Sequence, residues 1–501
     1  MIKNEKNNYK ILFIKGEKYF WEISIGLEIH AQIASKYKLF SGASTKFGEQ
    51  PNTQVSLLDL GLPGSLPVIN KFCIKQAVKT GLGLNSKINL VSHFDRKHYF
   101  YPDLPLGYQI SQFNNPIISG GYVNIKLKNG SEKNINLERI HLEQDAGKSI
   151  HDLHPQKTFI DLNRSGVALM EIVTKPEIKS SEEAALFVQQ IRSTLLYLKT
   201  CNGNMEKGNL RVDVNISLNK PGNSLGSRVE IKNLNSIRFI TIAIEYEIKR
   251  QINILEKDGI IHQETRLFNT KKSITQKMRS KEDSYDYRYF PDPDLPPLIL
   301  NNNWINEINK TLPELPQIKK ERLMKNYYVT SYEADILTKD PETADFFEKS
   351  LNKSIFVQKG SKKAIKMIVN WHISELFALL NKNGLNINKS KISAENLARI
   401  VDLIHTGSIS GKIGKKIFYD VWDTGKSPEI IIKEQNLIQI SDSKLIIKNI
   451  DIILKKNKIK LEEYKNGKTK LFGFFIGEIM KIMDGKGNPK LINTLLKEKL
   501  M

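Results

Sequence analysis

The sequence predicts an α+β fold: a mixed or antiparallel sheet domain over residues 20–297, then an all-α linker domain over 298–426 and an all-α tail over 427–501. Three observations carry that prediction. Residues 21–30, WEISIGLEIH, alternate apolar and polar side chains with period two, as a half-buried strand does. ISGGYVNIKLKNGSEKNINLERIHLEQD at 118–145 holds two alternating runs joined at Asn129 and Gly130, the turn pair of a tight hairpin. After YFPDPDLPPL at 289–298, the periodicity becomes helical.

Taken in order, residues 1–19 form an extension in front of the WEISIGLEIH strand. On that strand Glu28 and His30 project side by side from the face opposite the apolar one, which is either wet surface or one wall of a site. INKFCIKQAVKTGLGL at 69–84 reads as an amphipathic helix with Cys73 in its core stripe. SSEEAALFVQQIRSTLLYLKT reads as a second helix, with Ser180 or Ser181 as N-cap and early glutamates that suit the helix dipole. A third helix covers SIRFITIAIEYEIKRQINILEKDG and ends at Gly259. Pro291, Pro293, Pro296 and Pro297 crowd one segment; proline cannot donate to a helix or a central strand, so a domain boundary or linker is expected there. Helical runs follow in PQIKKERLMKNYYV, SYEADILTKDPETADFFEKSL, KKAIKMIVNWHISELFALLNKNG and SAENLARIVDLIHTG.

A chain of 501 residues exceeds one hydrophobic core and suits roughly two to four domains. The formal charge of +22 invites a polyanionic partner. Lysine in this chain travels with isoleucine and asparagine, however, as in drift of an AT-rich genome, so composition leaves nucleic-acid binding open. Residues 401–501 carry 19 Lys and no Arg against 12 Asp plus Glu, which makes the tail a candidate RNA-contacting module or simply a solvated surface. With only Cys73 and Cys201, a disulfide framework and a cysteine-based zinc site are both excluded, and a reducing cytoplasm fits. No apolar targeting segment opens the chain, and no run approaches about 18 apolar residues, so neither export nor a membrane span is expected.

The acid and histidine pattern repeats. LERIHLEQD at 137–145 sets His141 and Glu143 two apart on another alternating run, and LMEIV at 169–173 places Glu171 among four apolar residues. A buried carboxylate there demands compensation. Carboxylates and one or two histidines without cysteine make a hard ligand set, better suited to Mg²⁺ than to Zn²⁺, and point to ATP chemistry. An ordinary ion-pair network through Arg139, Lys148 and Arg164 answers the same spacing. There is no GxxxxGK[ST] loop, so nucleotide phosphates would be met by metal and Arg/Lys contacts. Cys73 has no nucleophile setting, so hydrolysis through a nucleophile of this chain is not expected.

Long motifs then become specific. GLEIH (26–30), GLPGSLPVIN (61–70), FDRKHYFYPDLPLGYQISQ (94–112), HLEQDAGKS (141–149), DLNRSGVALMEIV (161–173), EIKNLNS (230–236) and MRSKEDSYDYRYFPDPDLPPL (278–298) together resemble the B subunits of tRNA-dependent amidotransferases. GSISGKIGKKIF (407–418) and YKNGKTKLFGFFIGEIMK (464–481) extend the resemblance to the tail. It implies a cradle-like catalytic domain in a heterotrimer of the bacterial cytoplasm. A partner amidase (A) subunit hydrolyses glutamine, a small C subunit braces the pair, and this subunit uses ATP to activate the side-chain carboxylate of Glu-tRNA(Gln), Asp-tRNA(Asn) or both for attack by ammonia.

Carried over by motif, the resemblance implies that Glu28, His30, Glu143 and Glu171 form a catalytic Mg²⁺ site, and that Lys148, Arg164, Arg211, Lys232, Arg266 and Arg288 meet ATP phosphates or the RNA end. Tyr285, Tyr287 and Tyr289 recur at period two and are candidates for stacking on the terminal adenosine or for plain packing. Three departures stand out. Ser41, Ala43, Ser56 and Asp59 occupy positions where some members carry four cysteines, so no zinc knuckle is expected; Gln144 replaces a common glutamate; Ala168 replaces a proline before Leu169. A basic tRNA-binding scaffold with structural acids, and a free-standing amide ligase, are the alternative functions.

Overall fold

The computed structural model describes residues 13–280, 287–437, 442–483 and 487–500. Two compact units divide the chain, Met1–Leu315 and Pro316–Met501. The α+β class holds: the first unit is built on a mixed sheet, and the second is helical. Among the described residues no helix is long and apolar enough to cross a membrane.

Seven main strands organise the sheet: β1 (Phe20–Gln32), β2 (Glu132–Gln144), β3 (Ala168–Thr174), β4 (Leu210–Asn219), β5 (Val229–Leu234), β6 (Glu264–Asn269) and β7 (Ile274–Ser280). Their spatial order is β7-β6-β5-β4-β1-β3-β2, antiparallel throughout except for the parallel pair β5 and β6. β1 is therefore central, with β4 and β3 on its two sides. The expected hairpin is present: Tyr122–Lys126 pairs with the start of β2 across a turn at Asn129 and Gly130.

Helices α1 (Lys71–Gly83), α2 (Ser181–Leu198) and α3 (Ile237–Leu255) contribute buried apolar stripes to the core formed with the sheet. Phe187, Val188, Ile191 and Leu195 of α2 are fully buried, each worth about 1.5–3 kcal/mol of apolar transfer. Ser180 caps α2 by accepting from the Glu183 amide, and Ser236 caps α3 by accepting from the Phe239 amide. α3 stops at Leu255, earlier than the expected Gly259. Its cap residue Glu256 turns back to clasp the chain entry, accepting from the amides of Glu17, Lys18 and Tyr19 and from Trp21 Nε1. Residues 13–15 pair with β1 as a short strand, so this part of the extension belongs to the sheet. Residues 1–12 lie outside the described residues.

The proline-crowded stretch is not a free linker. Phe290–Pro291 pairs with strand Asp95–His98, and Leu298–Ile299 pairs with Val91–Ser92. Prolines are tolerated because these are two-residue edge pairings, where a missing donor costs little. Helix Asn302–Lys310 adds Ile305 and Ile308 to the first unit's core.

The loop that holds Ser41, Ala43, Ser56 and Asp59 is closed by a buried ion pair: Lys38 Nζ lies 2.8 Å from Asp59 Oδ2 and donates to the Leu162 carbonyl at 3.3 Å. In the second unit, one core gathers residues from Leu323 to Leu437 and another gathers Ile446 to Leu496.

Candidate active site on the central sheet

Period two decides which face of β1 carries chemistry. Ile25, Leu27 and Ile29 are buried, while Glu28 and His30 point to the other side and are half-buried. Strand pairing then recruits neighbours. Glu171 on β3 sits directly between His30 of β1 and His141 of β2, while Arg211 and Asp213 on β4 sit opposite His30 and Glu28. Asn215 of β4 pairs with Glu230 of β5, which brings Lys232 to the same face. A polar stripe thus crosses five strands of an otherwise apolar sheet.

Two acidic clusters lie within the stripe. In the first, His30 Nε2 stands 3.6 Å from both Glu143 Oε1 and Glu171 Oε2, and His141 Nε2 stands 3.1 Å from Glu171 Oε2. Ligand atoms of His30, Glu143 and Glu171 fall within 4.8 Å of one another, as do those of Glu28, Asp213 and Glu230 in the second cluster. Both trios could hold a cation. Glu28 therefore belongs to a different trio from His30, Glu143 and Glu171, although all four share one face.

The electrostatics separate the two central carboxylates. Burial, together with the charge of Glu171, pushes Glu143 above the usual carboxylate range, against the pull of His30 and His141. Burial would raise Glu171 too, but His141, His30 and Lys97 outweigh it and hold Glu171 well below that range. Glu28 is raised by burial and by the neighbouring Glu171, Glu230 and Asp213. Asn215 Nδ2 donates to Glu28 Oε1 at 2.9 Å. His141 turns Nε2 to the acids, and its Nδ1 is buried without a hydrogen bond.

The cations divide by location. Arg211 and Arg164 both grip Asp145, at 3.0 and 3.1 Å, two residues beyond Glu143. Arg164 also donates to the Ala146 and Gly147 carbonyls. Lys232 bridges Asp213 at 2.6 Å and Glu230 at 2.8 Å; burial disfavours its charge, and the two acids more than restore it. Lys148 is exposed, on a two-stranded ribbon with Phe159–Asp161. Arg288 is exposed at a left-handed backbone position, φ 44°, with its carbonyl 3.2 Å from His98 Nδ1.

Arg266 is not brought to this stripe. Its register partner is Ile231, so it points to the side opposite Glu230 and Lys232. There it is buried against α3, bonded to Glu264 and Thr275 and close to Glu247.

The chain has clear relatives. Residues 23–306 match the family model described as the GatB/GatE catalytic domain, and residues 346–500 match the GatB domain. The B subunit of the aspartyl/glutamyl-tRNA(Asn/Gln) amidotransferase from Pelagibacter ubique (strain HTCC1062) is 52% identical over 496 residues, covering 99% of each chain. The protein of that name from Acidiphilium cryptum (strain JF-5) is 51% identical, covering 97% of this chain and 98% of its own, and that from Rickettsia rickettsii (strain Sheila Smith) is 52% identical, covering 97% and 99%. The chain belongs to the GatB/GatE family.

Within this GatB/GatE catalytic domain, several site residues escaped sequence reasoning. Asp213 and Asn215 alternate with valines in LRVDVNISLN, so their shared face was readable, but not that it adjoins β1. Glu230 pairs across the sheet with Asn215, a relation no local pattern announces. Lys97 is half-buried on strand Asp95–His98, with Nζ over the Tyr287 and Tyr99 rings at 5.0 and 5.7 Å. Burial works against its charge, yet Tyr289, Glu143 and Glu171 together raise its pKa. Of the three period-two tyrosines, Tyr287 and Tyr289 join the aromatic cluster beside Lys97, and Tyr285 lies outside the described residues.

Proposed function

We propose that this chain is the transamidating subunit of a tRNA-dependent amidotransferase. It activates the side-chain carboxylate of Glu-tRNA(Gln), Asp-tRNA(Asn) or both with ATP, and joins it to ammonia from a partner glutaminase (A) subunit braced by a small C subunit. The carrying observation is the cluster of His30, Glu143 and Glu171, held on three adjacent strands with one imidazole facing two carboxylates.

Their chemistry fits Mg²⁺. An oxygen-rich set of two carboxylates and one imidazole leaves positions for water and phosphate oxygens. His30, Glu143 and Glu171 would hold the ion, with Glu28, Asp213 and Glu230 beside it. When bound, such an ion neutralises charge on transferring phosphate.

The chain's own residues do the positioning. A carboxylate oxygen of the aminoacyl side chain displaces ADP from the γ-phosphorus of ATP, and ammonia then expels phosphate from the acyl carbon. Lys97 supplies positive charge beside Glu143 and Glu171, where the incoming carboxylate would otherwise be repelled. Asp145 fixes Arg164 and Arg211 at the edge of the cluster; Arg164 also donates to the Ala146 and Gly147 carbonyls, while Arg211 Nε is buried without a hydrogen bond. The lysine-rich tail from residue 427 supports RNA contact by its charge.

The test is amidation of Glu-tRNA(Gln) by the reconstituted complex with Mg-ATP and ammonium chloride, which bypasses the glutaminase. Glu171→Gln abolishes product while retaining tRNA binding. Undiminished product from that variant makes the acids structural and overturns the assignment.

A further inference from the structure

The strand Asp95–His98 is flanked by Tyr108–Ser111 and Phe290–Pro291 in a small sheet. Several links tie this sheet to the candidate site. Gln109 Nε2 donates to the Gln144 carbonyl at the end of β2, and Tyr99 Oη donates to Gln109. Gly147 N donates to the Asp103 carbonyl, which anchors the loop that follows Tyr101.

Alternation splits the small sheet into two faces. Arg96, Tyr108 and Phe290 share one, with Arg96 over the Tyr108 ring and His98 stacked on Phe290. Lys97, Tyr99, Tyr287 and Tyr289 gather on the other, which is the side of Glu143 and Glu171. At the end of that second row, Phe113 lies on Tyr289 with ring centroids 4.2 Å apart and an interplanar angle of 9°. Aromatic pairs inside proteins commonly meet offset or edge-on, and the neighbouring Tyr99–Tyr287 and Tyr287–Tyr289 contacts are edge-on. The stacked pair differs in that its outer ring, Phe113, is 48% exposed. Its backbone is fixed, since the Phe113 amide donates to the buried Asp95 carboxylate at 2.9 Å. The result is a rigid, flat, half-wet aromatic surface beside an acidic and cationic cluster.

We propose that the Phe113 and Tyr289 stack is the seat of the unpaired nucleobase at the 3′ end of the aminoacylated RNA. This rests on the transamidase reading and extends it to the nucleotide that carries the amino acid. A purine is the flat, π-faced group that continues such a stack, and the phosphate attached to its ribose is an anionic partner for Lys97. A terminal base seated there leaves the aminoacyl ester on the side of Lys97, Glu143 and Glu171. Phe113 and Tyr289 are stacking residues and take no part in bond making.

The experiment uses the full chain in its assembled complex and tRNA bearing 2-aminopurine in place of the terminal adenine. With wild type, ammonia-dependent amidation of charged tRNA is measured alongside the fluorescence of the bound tRNA. Stacking quenches 2-aminopurine on binding. Phe113→Leu keeps an apolar side chain but removes the π face, so it loses the quench and raises KM for charged tRNA by on the order of tenfold, with kcat little changed. Phe113→Trp restores both. Wild type that makes product without quenching overturns the stacking site alone, as does a Phe113→Leu variant with unchanged KM and quench. Wild type that makes no product overturns the transamidase reading and the stacking site with it.

Discussion

Glu171 lies directly opposite His30 in strand register, and its Oε2 is 3.6 Å from His30 Nε2. His30 is thus shared between Glu171 and Glu143, while Glu28, only two residues away on the same strand, answers to Asp213 and Glu230. The two trios should therefore be separable by substitution.

Mn²⁺ binding, followed by electron paramagnetic resonance as a stand-in for Mg²⁺, tests the separation. Glu143→Gln weakens the His30 trio by about tenfold or more, because one ligand of three is lost. Glu28→Gln leaves that binding within a fewfold of wild type. Equal losses from both variants would mean that one ion spans the two trios.

The buried pair of Lys38 and Asp59 gives a stability test. Lys38→Met leaves Asp59 charged and enclosed, and destabilises the first unit by about 3–5 kcal/mol. The double variant Lys38→Met with Asp59→Leu regains most of that loss, since apolar replacement of a buried pair is often neutral. Urea unfolding of the three proteins measures both effects. A double variant no better than the single one would show that the loop needs the hydrogen bonds of Lys38 to Leu162 as well.

His372 in the helical unit is fully buried, and burial pushes its pKa down to about 4 from an ordinary 6.5. Its folded pKa is the lower one, so the unfolded chain takes up the proton first on acidification. Stability is complete above about pH 6.5, falls as pH drops, and stops falling near pH 4, for a loss of about 3 kcal/mol. His372→Leu flattens that part of the stability curve, as read from denaturation midpoints between pH 7 and 4.

Cys73 and Cys201 are both buried, and burial raises each thiol to about 11. At pH 8 the thiolate fraction is about one in a thousand, so iodoacetamide should label neither in the native protein and both after unfolding. Rapid labelling of native protein would mean that these helix and loop positions open locally.

What the sequence disclosed follows from how far each signal reaches. Alternation in GLEIH identified the face of Glu28 and His30 because side-chain direction in a strand is local. It could not group Glu28 with Asp213 and Glu230, since the sheet order β5-β4-β1-β3-β2 is set by packing between segments far apart in the chain. Arg266 shows the same limit: it sits in a strand of the sheet, yet pairing with Ile231 turns it toward α3. The end of α3 was read past Leu255 because Glu256 is a good helix former locally, while its tertiary role is to bind the turn at residues 17–19. Pro291 and Pro293 punctuate the chain as expected, but tertiary pairing retained the segment in the first unit.

β1 has hydrogen-bonded neighbours along both edges, and the side chains of the acidic stripe hang from it and from the strands beside it. No hinge, lid or terminal turn carries these groups, so nothing short of parting the central ladder can disperse them. Backbone amides of His30, Glu171 and Arg211 should then exchange with deuterium only through the rarest, whole-unit opening, as slowly as the innermost isoleucines. The geometry of the acidic stripe has no softer melting step of its own, and it is lost when the fold is lost.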